Sequence, residues 1–283
     1  LKNRAVNKGV EKKGPSPDSV PLIIGHRGAS AHAPENTHAA FALAFEAGAD
    51  GIEFDVRLAR DGVPFVFHDA TLERTAGVRG AADILSSTTL SQMYVGIWFN
   101  RRFPLTPLYA FEKIPTLAQV FKQYGAHTLY AEMKCDDGAR RPALARAVVE
   151  LIHKHDLVGR VVVKSFALDS LREVKRLAPE IRTAALFGRS WPRPLLPAAR
   201  IIAEAEACGA DEISLHRSLL RRATVEAARS RGFQVLVWTV NSPTGLRRAL
   251  KLNLRAVFTD YPGLLCASLA KLRAEGAARG ETG

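Results

Sequence analysis

The sequence predicts an α/β fold, a (β/α)8 TIM barrel carrying a small inserted subdomain after the early strands. Three observations point there. From Val20 onward, short β-branched or aliphatic runs alternate with amphipathic segments of helical length, the pattern of a parallel sheet with crossover helices. The 283 residues, 47% of them hydrophobic, suit one barrel of ~250 residues, although composition alone fits two small domains equally well. Finally, one stretch, 69–115, breaks an otherwise regular alternation.

Residues 1–19 carry Lys2, Arg4, Lys8, Lys12 and Lys13 before Gly14-Pro15-Ser16-Pro17, a composition that cannot readily bury a core and reads as a flexible basic arm. Strands are expected at 22–26, 51–56, 64–68, 128–134, 161–165, 182–187, 212–215, 234–238 and 256–259. Helices are expected near 36–47, 116–124, 140–155, 168–177, 197–207, 219–231, 243–251 and 263–275. One layer scheme therefore runs over 20–276 as a single domain, with a polar tail at 277–283. Nine strand candidates exceed eight barrel positions, so 51–56 and 64–68 read as a strand followed by a short hairpin return. The 69–115 stretch, with Trp98, Phe99, Tyr109 and several Arg and Pro, has the length of a cap over the barrel mouth or of an extended surface loop.

The charge of +12, from 40 Lys and Arg against 28 Asp and Glu, creates a field that attracts anions. No basic stripe with interleaved aromatics accompanies it, so nucleic acid is not an expected partner. Cys135, Cys208 and Cys266 lie far apart with no CxxC pairing, which argues against a disulfide framework or a thiolate zinc site. No apolar run reaches the ~18 residues of a membrane span, and the N-terminal segment lacks a secretory apolar region. A cytoplasmic protein is expected, with periplasmic or secreted forms left open by a chain that starts at Leu1. Either a monomer or a homodimer is compatible.

Strand ends hold the polar residues that matter, because a barrel of this kind presents the C-terminal ends of its strands to the active site. The first strand runs into His26-Arg27-Gly28. In Gly51-Ile52-Glu53-Phe54-Asp55-Val56 the carboxylates stand at i and i+2, so an extended strand points both to one side. Such like charges need a cation and suit a hard metal with oxygen ligands, Mg²⁺ or Ca²⁺; a solvent-facing acidic edge is the bland alternative. Phe65-Val66-Phe67-His68-Asp69 ends a second apolar strand in histidine, and two imidazoles titrating near neutrality can serve as general acid and base. Glu132 and Lys134 repeat the i, i+2 device, as a third metal ligand and a phosphate-holding ammonium, or as a simple surface ion pair.

His26-Arg27-Gly28, Pro34-Glu35-Asn36-Thr37, Glu53-Phe54-Asp55-Val56 and His68-Asp69 together resemble the glycerophosphodiester phosphodiesterase family. Further ordered blocks extend the likeness from Leu22 to Leu265: Arg74-Thr75, Trp98-Phe99, Ile114-Pro115-Thr116-Leu117, Glu132-Met133-Lys134, Ser165-Phe166, Trp238-Thr239-Val240-Asn241 and Thr259-Asp260-Tyr261-Pro262. The resemblance implies a barrel with a small inserted subdomain and metal-dependent hydrolysis of a glycerophosphodiester to sn-glycerol 3-phosphate and an alcohol. It implies one divalent ion, Mg²⁺ or Ca²⁺ and in some settings Mn²⁺, on Glu53, Asp55 and Glu132. His26 and His68 become the acid/base pair, Arg27 and Lys134 the phosphate clamp, and Trp238 and Phe166 the glycerol contacts. It also implies attack by the glycerol 2-hydroxyl through a cyclic phosphate. One departure stands out: the insertion reads Met93-Tyr94-Val95-Gly96-Ile97-Trp98 where the family commonly carries an acidic Leu-Asp-Ala-Gly pattern.

Two rivals share these features. A lysophospholipase D-type diesterase would act on acylated substrates, with Arg189-Ser190-Trp191-Pro192-Arg193-Pro194 making transient contact with a lipid surface. A non-catalytic polyanion- or membrane-binding barrel would use the charge alone, but has no need for two imidazoles facing three carboxylates.

Overall fold

Eight parallel strands close on themselves, as the alternation predicts. The computed structural model describes residues 20–104, 108–188 and 196–280. In chain order the elements are β1 (Leu22–His26), α1 (His38–Glu46), β2 (Gly51–Leu58), β3 (Pro64–Val66), α2 (Glu73–Ala76), α3 (Ser87–Leu90), α4 (Ile97–Arg102), α5 (Leu117–Tyr124) and β4 (Thr128–Met133). There follow α6 (Arg141–Lys154), β5 (Val161–Ser165), α7 (Leu168–Leu177), β6 (Arg182–Phe187), α8 (Ala198–Ala207), β7 (Glu212–His216), α9 (Arg222–Ser230), β8 (Gln234–Trp238), α10 (Pro243–Lys251), β9 (Ala256–Thr259) and α11 (Pro262–Gly280). The sheet runs β1-β9-β8-β7-β6-β5-β4-β2-β3, and pairing of β1 with β2 closes the ring.

The ninth strand is the hairpin return. β3 pairs antiparallel with β2, matching Val56 with Val66 and Leu58 with Pro64, so it adds to one edge outside the ring. It stops at Val66, and the Phe67 N–H donates to the Asp55 carbonyl, which leaves His68 just beyond the paired region. Similarly, β4 ends at Met133, with the Lys134 N–H donating to the Val56 carbonyl.

Strand alternation sorts the side chains into two cores. Outward-facing Ile23, Ile52, Phe54, Val56, Val161 and Val163 pack under the helices in the main cluster. Inward-facing Ile24, Tyr130, Val162, Ala184, Leu236 and Phe258 fill the barrel as a separate, smaller cluster. This packed interior forms a floor, and the next inward residues along β1, β2, β4 and β5 are polar: His26, Asp55, Glu132 and Lys164.

Helix starts follow their caps. α1 begins at His38 rather than at 36 because the Thr37 hydroxyl accepts the Ala40 N–H, and α5 opens with a capping box between Thr116 and Gln119. α9 starts at Arg222, three residues later than its periodicity suggests, and α11 continues to Gly280, past 275. Between β3 and α5, where periodicity gave no elements, three short helices and a 3-10 turn surround their own apolar cluster, which includes Phe65, Phe67, Leu72, Leu90, Val95 and Ile114. Gly96 is required there, since a Cβ would lie 1.6 Å from the Tyr109 carbonyl oxygen.

Candidate active site

The site grows from the loop after β1. Gly28 takes φ +84°, and a Cβ on it would meet Ala40 backbone atoms at 2.5 Å, so only glycine lets this loop lie on α1. The Ala29 N–H donates to the Ala40 carbonyl at 2.8 Å and fixes that approach. Arg27, at φ 56°, occupies the left-handed region that side chains other than glycine rarely adopt. It is held there by acidic neighbours: Nη1 lies 3.0 Å from Glu35 Oε1, Nε 3.1 Å from Asp55 Oδ2, and the backbone N–H donates to Glu53 Oε2 at 3.2 Å.

Glu53 and Asp55 project inward from β2 and Glu132 from β4, in register through the Asp55–Glu132 pair. Each offers one oxygen, all within 4.8 Å of one another. Their exposures are 0%, 1% and 6%. Buried carboxylates this close require positive charge, and three cations supply it. Lys164 Nζ sits 3.0 Å from Glu53 and 3.9 Å from Glu132; Lys134 Nζ sits 2.5 Å from Glu132 and 3.3 Å from Asp55; Arg27 completes the set. Asn36 brackets Asp55 from both sides, donating Nδ2 to its Oδ2 at 2.9 Å and accepting its N–H at 3.2 Å.

The carboxyls respond differently to this environment. Burial alone would raise Asp55, but Arg27, Lys134 and His68 hold it far below the usual carboxylate range. Burial likewise opposes ionisation of Glu53, and Lys164 with His26 overcomes it. At Glu132 burial and the Asp55 charge prevail over Lys164 and Lys134, so its pKa is raised.

Each histidine stands on an aspartate. His26 Nδ1 is 2.7 Å from Asp260 Oδ1, and Asp260 also accepts from Ser30 Oγ at 3.0 Å and from Asn241 Nδ2 at 2.6 Å. His68 Nδ1 is 2.6 Å from Asp69 Oδ1, whose second oxygen accepts from Arg74 Nε at 2.6 Å. Arg74 donates two further bonds to Glu35, at 2.8 and 2.7 Å, and so joins the His68 loop to the Arg27 loop. Buried Arg57 donates Nε to the His68 carbonyl at 2.9 Å. With Nδ1 engaged, Nε2 of each ring is the nitrogen left to work on a bound molecule.

Phe166 and Trp238 meet edge to face with centroids 5.6 Å apart. Phe166 is 48% exposed, whereas the Trp238 indole N–H reaches the Ser214 carbonyl at 3.4 Å. The structure thus brings His26, Arg27, Glu53, Asp55, His68, Glu132 and Lys134 to one end of the barrel and sets the Phe166–Trp238 pair there too, from the ends of β5 and β8. Residues 189–194, the basic and aromatic loop read above as a lipid contact, lie outside the described residues.

Sequence reading missed Lys164, Asn36, Arg74, Arg57, Asn241 and the parts played by Asp69 and Asp260. Lys164 had a visible signal, a lone ammonium inside Val161-Val162-Val163-Lys164 that an apolar strand does not otherwise tolerate.

Three oxygen donors in a buried, preorganised cluster fit a hard divalent cation that completes its coordination with water or substrate. The three ammonium and guanidinium groups then leave the occupied cluster net positive, which suits an anionic ligand. Two imidazoles beside it can move protons.

Comparison with known proteins agrees with this chemistry. Residues 26–264 match the Glycerophosphoryl diester phosphodiesterase family. The chain is 32% identical over 247 residues to the glycerophosphodiester phosphodiesterase of Caldanaerobacter subterraneus subsp. tengcongensis, covering 86% of this chain and 96% of that one. It is 31% identical to the glycerophosphodiester phosphodiesterase of Bacillus subtilis, covering 88% and 86% respectively. An Oleispira antarctica phosphodiesterase solved in complex with the product sn-glycerol-3-phosphate superposes with a TM-score of 0.77 at 31% identity, over 89% of this chain and 97% of that one. The glycerophosphodiester phosphodiesterase from Agrobacterium tumefaciens gives 0.72 at 27% identity, over 88% and 100%. With a match spanning the barrel from His26 to Leu264, the chain belongs to the glycerophosphoryl diester phosphodiesterase family of phosphoric diester hydrolases.

Proposed function

We propose that this chain hydrolyses glycerophosphodiesters to sn-glycerol 3-phosphate and an alcohol, using one divalent metal and two-histidine acid/base catalysis. The observation that carries the reading is the pair of histidine–aspartate dyads beside a buried cluster of three carboxylates. In this reading Glu53, Asp55 and Glu132 hold Mg²⁺, Ca²⁺ or Mn²⁺. When bound, the ion supplies Lewis-acid polarisation of a phosphoryl oxygen.

The chain's own residues do the rest. Arg27 and Lys134 hold the remaining phosphoryl oxygens and stabilise the charge that builds on them. Phe166 and Trp238 pack against the glycerol carbons. One histidine Nε2 accepts the proton of the glycerol 2-hydroxyl as its oxygen bonds to phosphorus. The other protonates the departing alcohol oxygen as its P–O bond breaks, which leaves a cyclic phosphate. In the second step water adds to phosphorus and the ring P–O bond to the 2-oxygen breaks, with the histidine roles exchanged. Asp69 and Asp260 fix each ring's tautomer and orientation. Residues 20–276 act as one catalytic domain, with 69–115 as a cap whose Trp98 ring lies 5.7 Å from the Arg74 guanidinium.

Release of sn-glycerol 3-phosphate from a panel of glycerophosphodiesters in the presence of Mg²⁺, Mn²⁺ or Ca²⁺ tests the reading. His26→Ala and His68→Ala each lower kcat by about 10²- to 10⁴-fold while leaving the fold intact. Near-normal turnover in a folded His68→Ala protein contradicts the assignment.

A further inference from the structure

A cavity over the ends of β7, β8 and β9 adjoins the groups that carry the proton and phosphate chemistry above and has been given no ligand there. It comprises two adjoining lobes of about 480 and 420 Å³ that share His216, Arg217 and Asn241, with Arg248 in one and Asp260 at the edge of the other. Both boundaries touch the candidate site. Asp260 holds His26 at 2.7 Å, and the His216 ring packs edge-on against Trp238 with centroids 5.0 Å apart. On its other side Trp238 meets Phe166, which lines a separate cavity of about 630 Å³ together with His68, Glu132 and Lys134. Trp238 therefore stands between His216, which lines the first space, and Phe166, which lines the second.

A phosphodiester has two ester limbs, and in-line displacement sets the attacking and leaving oxygens on opposite sides of phosphorus. With the glycerol limb against Phe166 and Trp238 on the His68 side, the departing limb passes His26 and enters the β7–β9 cavity. The lining there is cationic. Among the described residues that line the two lobes, Asp260 is the one carboxylate, and it is already engaged by His26, Ser30 and Asn241. Arg248 donates to the Leu220 carbonyl, which uses one N–H and none of its charge. A quaternary ammonium in this space would face two guanidiniums, whereas an anionic group would find donors in fork geometry.

We propose that this cavity receives the alcohol limb of the diester, and that Arg217 selects limbs bearing their own anionic group, a phosphate or a carboxylate, over limbs bearing a quaternary ammonium. The inference rests on the diesterase reading and names its preferred substrate class.

The test compares kcat/KM at fixed ionic strength for glycerophosphocholine, glycerophosphoglycerol and glycerophosphoglycerol carrying a terminal phosphate. Wild type favours the phosphate-bearing diester. Arg217→Gln lowers the ratio of phosphate-bearing to choline diester by about 10- to 100-fold, the worth of one charge-assisted hydrogen bond, mainly through KM. Arg217→Lys restores part of that ratio. A ratio unmoved by Arg217→Gln, or an equal loss on all three substrates, overturns the inference while the diesterase reading stands. No turnover of any diester by wild type removes both.

Discussion

Replacing Lys164 by methionine separates charge from packing at the centre of the site. Lys164 is 1% exposed, and its ammonium is 3.0 Å from Glu53, 3.9 Å from Glu132 and 4.2 Å from the centroid of the Phe258 ring. Methionine keeps an unbranched stem and a sulfur suited to the same aromatic wall, so the variant loses the charge and little volume. At an effective dielectric of ~20 the gross attraction across 3.0 Å is about 5 kcal/mol, and truncating one partner of a buried ion pair costs about 3–5 kcal/mol. For a barrel of this size each kcal/mol moves Tm by about 2–4 °C, so Lys164→Met in chelator melts roughly 6–20 °C below wild type. In the metal site proposed above, a divalent cation would replace the missing charge. In millimolar Mg²⁺, Mn²⁺ or Ca²⁺ the gap therefore narrows. Thermal denaturation of both proteins with and without each metal gives the answer. A gap that is the same in both conditions, or absent in chelator, refutes the view that Lys164 and a metal share one charge-balancing role.

Arg74→Met removes the guanidinium that ties Asp69 to Glu35; kcat falls by about 10- to 100-fold, the scale for partners that orient functional side chains, and steady-state kinetics on a folded protein checks it. At the opposite end of the barrel, Glu212 is fully buried against Tyr130 and Arg182, and burial pushes its pKa up to about 7 against the partial compensation of Arg182, Arg255 and the Tyr130 hydroxyl. Its folded pKa lies above the unfolded value of 4.5, so its contribution to stability is greatest below about pH 4.5 and is lost as pH rises through 7. The loss amounts to about 3 kcal/mol, so the stability of Glu212→Gln relative to wild type improves by that order between pH 4.5 and 8, as read from urea unfolding at several pH values. A relative stability that does not change with pH contradicts the buried-carboxylate assignment.

Much of this molecule is legible in its sequence because the informative features are local. The i, i+2 spacing of Glu53 and Asp55 follows from the two-residue period of a strand, and His26, His68 and Lys134 each mark where an apolar run ends. The hairpin return of β3 was readable as a surplus strand. What escaped is set by distance along the chain. Asp260 reaches His26 across 234 residues, Lys164 reaches Glu53 across 111 and Arg74 reaches Glu35 across 39, and no local pattern records which strand ends closure makes neighbours. The short helices between β3 and α5 escaped for another reason. Their four to six residues are too few to display a helical period, and their burial comes from a private cluster around Phe65, Phe67 and Leu90. Arg27 shows why geometry cannot be read from residue type alone, since its left-handed backbone is sustained by three acidic side chains from elsewhere in the fold.

In the proposed reaction three buried carboxylates hold a metal without which the two histidines cannot turn the diester over. Its most direct test is the rate of sn-glycerol 3-phosphate release from glycerophosphoglycerol by protein stripped with EDTA, before and after titration with Mg²⁺, Mn²⁺ or Ca²⁺, in wild type and in Glu53→Gln. Turnover that is lost in chelator, returns with metal in wild type, and needs a higher metal concentration in Glu53→Gln is the predicted result. Full turnover of the stripped wild-type enzyme in EDTA contradicts it.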